Sequence, residues 1–209
     1  MNKIIRSPAS SPASSPAFAI TGAGGGGVPS PTTWSSRIVA SGDDGYWIIA
    51  SELNNSATTT RVGYTMMQFE DINSFFRFQN VTVPNASVIS TATLTLVVGA
   101  GASATFNMTI KGEDVDDSVA YEEETDADDA TETTAGVAWA GSSGWSTSDV
   151  EVSPDIKTII QEIVDRGGWA SGNDLTLRVN YNGADANEEY EFKSFDDSAG
   201  VSALLTITY

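Results

Sequence analysis

From Trp34 onward the apolar residues tend to recur at every second position, the period of a half-buried β-strand. Over 91–98, Ala92, Leu94, Leu96 and Val98 fall on one side and Thr91, Thr93 and Thr95 on the other. Phe106, Met108 and Ile110 alternate in the same way with Thr105, Asn107 and Thr109. Gly99 to Ser103 between the two segments suits a hairpin loop, so they are expected to be antiparallel neighbours. Leu175, Leu177, Val179 and Tyr181 alternate with Thr176, Arg178 and Asn180; Asn182-Gly183 then begins a turn, and Tyr190 and Phe192 lie on the return strand. The chain ends in Leu205, Ile207 and Tyr209 against Thr206 and Thr208, a terminal strand. Segments 45–51 and 61–70 are apolar and aromatic enough to be strands too. Many short strands separated by Gly-rich turns predict an all-β fold, an antiparallel jelly-roll β-sandwich.

One segment departs from this period. After Ser153-Pro154, residues Ile156, Ile159, Ile160, Ile163 and Val164 fall at i, i+3, i+4, i+7 and i+8, the stripe of an amphipathic helix that packs on a sheet. Ser153 is the expected N-cap and Pro154 the first helical residue, and Gly167-Gly168 ends the helix.

The first 33 residues have neither period. Ser-Pro-Ala-Ser occurs at 7–10 and again at 11–14, and proline at every fourth position forbids a helix. Gly22 and Gly24 to Gly27 then read as a tether. The expected organisation is an extended N-terminal arm over 1–33 and a sandwich domain over 34–209. The apolar anchors the arm would insert into a partner are Ile4, Ile5, Phe18 and Ile20, with Lys3 and Arg6 pairing to acidic surface. No apolar stretch of signal-peptide length follows Lys3 and Arg6, so they do not read as the start of a secretory leader. The glycines lack the flanking strand, helix and terminal Gly-Lys-Ser/Thr of a phosphate loop.

Charge divides along the same boundary. The 209 residues contain 28 Asp and Glu against 10 Lys and Arg, for a net −18, and every acid lies beyond residue 33. The arm is therefore slightly basic and the remainder stands at −20. Such a body repels phosphate backbones, so nucleic acid is not an expected partner. No stretch is long and apolar enough to suggest a membrane span. With neither Cys nor His, the chain has no thiolate nucleophile, no imidazole base and none of the usual zinc or haem ligands.

The densest acids are Glu113, Asp114, Asp116, Asp117, Glu122, Glu123, Glu124, Asp126, Asp128, Asp129 and Glu132. Asp114, Asp116 and Asp117, or Asp126, Asp128 and Asp129, would supply oxygen ligands to Ca²⁺, but neither run continues into EF-hand spacing. The plainer expectation is a solvated acidic loop with no cofactor. Carboxylate pairs occur by chance at this density, so no catalytic residue is assigned and no enzymatic activity is expected. Trp139 and Trp145 flank Ala-Gly-Ser-Ser-Gly, and with Trp169 they would form a sugar-stacking surface if exposed, or fill a core if not.

The stretch Val88 to Leu96, the helix after Ser153-Pro154-Asp155, the loop Gly168-Trp169-Ala170-Ser171-Gly172-Asn173 and the ending Leu205 to Tyr209 together resemble a DNRLRE-type domain. The resemblance covers roughly 60–209. It implies a jelly-roll sandwich related to carbohydrate-binding modules, of the kind found in bacterial surface proteins and phage-encoded proteins. The chain departs from the pattern in having Ala203-Leu204 where a proline often precedes the last strand, and in the missing leader. Arm and resemblance together lead to a non-enzymatic virion structural protein as the expected function. In particular, the chain reads as a capsid decoration, or cement, protein of a tailed phage at the virion surface. Its arm would bind the major capsid protein or other virion subunits, and repeated copies would sit on a symmetric shell. The alternative is a carbohydrate-binding module or fibre component of a surface or tail protein, using Trp139, Trp145 or Trp169.

Overall fold

Period-two alternation becomes twelve strands in a computed structural model that describes residues 30–65, 70–101, 105, 107–183 and 188–209. They are β1 (Thr33–Arg37), β2 (Asp44–Ile48), β3 (Glu52–Asn54), β4 (Thr59–Thr65), β5 (Glu70–Phe78), β6 (Thr91–Ala100) and β7 (Asn107–Gly112). After the short helix α1 (Glu124–Asp128) come β8 (Val137–Ala140), β9 (Val150–Val152), the helix α2 (Lys157–Val164), β10 (Leu175–Asn182), β11 (Glu188–Lys193) and β12 (Leu204–Thr208). The neighbours run β1-β12-β6-β11-β4-β5-β10-β7-β8, with β9 beside β6 and with β2 beside β5 and β3. The ladders are antiparallel. The curled sheet is the expected jelly-roll sandwich. Its inward residues form one core, including Leu94 and Leu96 of β6, Met108 and Ile110 of β7, Leu177 and Val179 of β10, and Phe192 of β11.

Two expected hairpins do not form. β6 pairs with β12, β11 and β9, whereas β7 pairs with β10 and β8. Likewise β10 lies between β5 and β7, and β11 lies between β4 and β6. Four strands, β11, β4, β5 and β10, stand between β6 and β7, and β4 and β5 stand between β10 and β11, so closure of one apolar core, not the turn between consecutive strands, sets the neighbours. The segment expected as one strand over 61–70 is two, β4 and the first residue of β5, and β5 continues to Phe78.

The helix also starts later than expected. Residues 150–156 remain hydrogen-bonded along β6, with Ser153 N donating to Leu94 O at 2.8 Å and Ile156 N to Ala92 O at 2.8 Å. Ser153 is therefore no N-cap; its Oγ instead accepts from the Leu94 amide at 3.0 Å. The first-turn acceptor is Asp155, whose Oδ1 takes both Lys157 N at 3.0 Å and Ala92 N at 2.9 Å, joining helix to strand. The apolar stripe is buried as its period required. Gly112 permits the close approach of α2, since a Cβ there would stand 2.6 Å from Ile163 Cδ1. Asp155→Ala strands two backbone donors and should lower stability by about 1–2 kcal/mol, with Asp155→Asn losing less, as read by urea unfolding.

Candidate functional site

Lys3, Ile4, Ile5, Arg6, Phe18 and Ile20, the proposed arm anchors, lie outside the described residues. The body begins slightly before the expected boundary: Thr33 opens β1, and Thr32 exchanges backbone hydrogen bonds with Tyr209 at 2.7 and 2.9 Å.

The acidic segment is not a plain solvated loop. It closes at its base where Asp114 N donates to Thr131 O at 2.7 Å and Glu113 bridges Glu132. Most of its carboxylates hold structure. Asp114 and Asp116 pair with Arg166, and Asp117 Oδ1 accepts from the Asp174 amide at 2.8 Å. Asp126 takes the amides of Glu123 and Glu122, which hold its carboxyl below the usual range and start α1. Asp128 accepts from Trp47 Nε1 at 2.9 Å and from the Ala50 amide at 2.8 Å. Five of the six carboxylates of the two runs, all but Asp129, are therefore engaged in holding the fold, and no converging group of three acids able to hold a metal occurs among the described residues.

The segment folds because the sheet beneath it is apolar on its outer side. On β5, Phe76 and Phe78 enter the main core, while Phe75 points to the other face and joins Trp47, Tyr121 and Ala127 in a second cluster. All five residues of β2 are buried. Arg178 of β10 is the centre of this outer layer and is only 4% exposed. Its guanidinium lies 4.4 Å from the Trp47 ring centroid, its Nη1 donates to Ala127 O at 2.7 Å, and its Nε meets Glu132 Oε1 at 3.0 Å. Glu132 also accepts from Asn180 Nδ2 at 2.6 Å and lies 3.4 Å from Lys111 Nζ. Arg178 was visible in the sequence only as a polar residue on the outer side of a strand. A neighbouring cleft of about 610 Å³ is lined by Trp47, Asn73, Asp128, Glu132, Arg178 and Asn180. Those side chains already serve the lobe and the sheet: Asn73 Oδ1, for instance, accepts from the Tyr181 amide at 2.8 Å.

Of the two uses open to the tryptophans, the fold takes the core and not an exposed stacking surface. Trp139 is buried, 5.7 Å from the half-buried Trp145 and stacked with Phe192 at 6.3 Å between ring centroids. Trp145 packs 5.0 Å from Tyr190. Trp169 is buried and its Nε1 donates to Val83 O at 3.0 Å. These large aromatic surfaces belong to the main core or pack against it.

A different surface was not foreseen. The outer side of β1-β12-β6-β9 presents Thr33, Ser35 and Arg37, then Thr208, Thr206 and Leu204, then Thr91, Thr93, Thr95 and Val97, then Val152 and Val150. Not one is acidic, although the body holds all 28 acids. Thr33 and Thr208 share a hydroxyl hydrogen bond of 3.1 Å, and Ser35 and Thr206 share one of 3.0 Å. Val150 and Val152 are 63% and 54% exposed. The alternating threonines were legible as strand faces, but not their alignment across three strands. Comparison with known proteins finds no family whose profile matches the chain and no curated protein significantly similar to it.

Proposed function

We propose that the chain is a non-enzymatic virion structural protein, a capsid decoration protein whose basic arm binds neighbouring capsid subunits while the acidic body faces water. The observation that carries this reading is the attachment of the arm's sequence to β1. That strand is held along its length by β12, Thr33 against Thr208 through Arg37 against Leu204. Thr32 and Tyr209 add two backbone hydrogen bonds at the point where the arm enters. A pull on the arm is thereby shared across a ladder instead of falling on a loop, which suits a tethered protein. The resemblance of 60–209 to DNRLRE-type domains, which also occur in phage-encoded proteins, points the same way. The excess carboxylates keep neighbouring copies from aggregating.

Deletion of residues 2–29 leaves β1 whole and should leave melting of the body unchanged. Incubated with shells of the encoding particle that have been stripped of the protein, the full chain should sediment with them and the deletion variant should stay in the supernatant. Normal occupancy without the arm would overturn the proposal.

A further inference from the structure

We propose that the acid-free outer face of β1-β12-β6-β9 is the surface by which the body seats on the shell, against a flat, carboxylate-poor protein surface of the subunit that the arm tethers. This inference rests on the decoration reading and names the contact within it.

Charge supports it first. Burying an unpaired carboxylate costs several kcal/mol, so an acid-rich body docks most readily through a face without one. The twelve outward residues of these four strands include a single charged side chain, Arg37, which donates to Ser202 O. Beyond the far end of β6 the outer side is unlike it, beginning with β11, which pairs with Val98 and Ala100. There β11 carries Glu189, paired to Arg61, and Glu191, and the acidic lobe sits over β2 and β5. Glu151 of β9 does not interrupt the face, because it is paired with Leu96, whose side chain points inward.

Hydrogen bonding supports it next. The hydroxyl pairs Thr33 with Thr208 and Ser35 with Thr206 satisfy one another within the sheet. Covering them therefore strands fewer donors than covering solvated hydroxyls would. The threonine methyls, Leu204, Val97, Val150 and Val152 supply the apolar area.

Position and size complete the argument. The N-terminal stretch outside the described residues ends at residue 29, and β1 of this same face starts at Thr33. The stretch from Ile20 to Thr33 spans at most roughly 45 Å, so a partner gripped through Phe18 or Ile20 lies within reach of the face. Four strands of about five residues cover roughly 300 Å², against the ~800 Å² per partner of a stable interface. The face alone is thus a weak binder, and arm and face together act as a bivalent attachment on a repeated lattice.

The test uses the full-length chain and stripped shells, with binding followed by cosedimentation over a concentration series. Val152→Glu, at an exposed position, and Thr93→Glu, at the centre of the face, should each weaken binding at least tenfold with unchanged melting. Glu123→Gln, in the acidic lobe, should bind as the unsubstituted chain does. Tight binding by the unsubstituted chain and by both face variants alike would overturn the seating face while leaving the decoration reading in place. Absence of binding by the unsubstituted chain would overturn the decoration reading itself. Concentration-dependent dimerisation lost in both face variants, with shell binding intact, would reassign the face to a second copy and overturn the proposal.

Discussion

Arg178→Ala should lower the free energy of unfolding by about 3–5 kcal/mol, the range for removing one partner of a buried ion pair, and should loosen residues 113–135 from the sheet. The guanidinium is a buried donor that reaches two points of the acidic lobe, Ala127 O within α1 and Glu132 at its base, while covering Trp47. Its loss leaves Glu132 facing only Lys111 and Asn180, and opens a gap beside the Trp47 ring. Exposed ion pairs of the same chain, such as Lys157 with Asp155, contribute far less because water screens them. Urea titration followed by tryptophan fluorescence reads the stability change, and limited proteolysis reads the release of the lobe between Val119 and Thr131. The double variant Arg178→Met, Glu132→Gln should lose less than Arg178→Ala, since it leaves no carboxylate unpaired. A loss below 1 kcal/mol for Arg178→Ala would show that the lobe holds itself.

Acidification should stabilise this protein between pH 7 and pH 4, against the usual behaviour of carboxylates. Asp44, the first residue of β2, is 1% exposed, and burial pushes its carboxyl from 3.8 up to about 7. Its Oδ2 accepts from the Phe195 amide at 2.9 Å, while the charges of Asp196 and Asp43 push in the same direction as burial. The folded state therefore keeps a proton that the unfolded chain releases above pH 4. The contribution is fully present below about pH 4 and is lost as pH rises to about 7, for a total of roughly 4 kcal/mol. Glu113, also raised by burial, adds to the trend, and so does the relief of self-repulsion in a chain of net −18. Asp44→Asn separates the local effect from these. Denaturant unfolding at pH 5 and pH 8 should give a much smaller difference for Asp44→Asn than for the unsubstituted chain. Equal differences in the two proteins would remove Asp44 as the cause.

Local pattern determined a large part of this protein by itself. Alternation names which side chains of 91–98, 107–110, 175–181 and 205–207 face inward, because side-chain direction is a property of each strand alone. The helical stripe from Ile156 to Val164 is likewise buried residue for residue. The division of charge between arm and body needs no fold at all. Strand partners are another matter. Any antiparallel neighbour satisfies the period of β6, and only closure of a common core places β7 beside β10. The start of α2 was decided by β6, whose Leu94 and Ala92 carbonyls claim the amides of Ser153 and Ile156. β2 is buried on both sides, a state that alternation does not signal and that exists because a lobe distant in sequence covers it. Each carboxylate took its role from the donor the fold brought to it: Arg166 to Asp114, Trp47 to Asp128, Arg178 to Glu132. The threonine face arises in the same way, from three short runs that are far apart in sequence and become one surface when β1, β12 and β6 align in register. Periodicity depends on the backbone of a few residues, whereas pairing and charge partners depend on contacts that form only when the whole chain has collapsed.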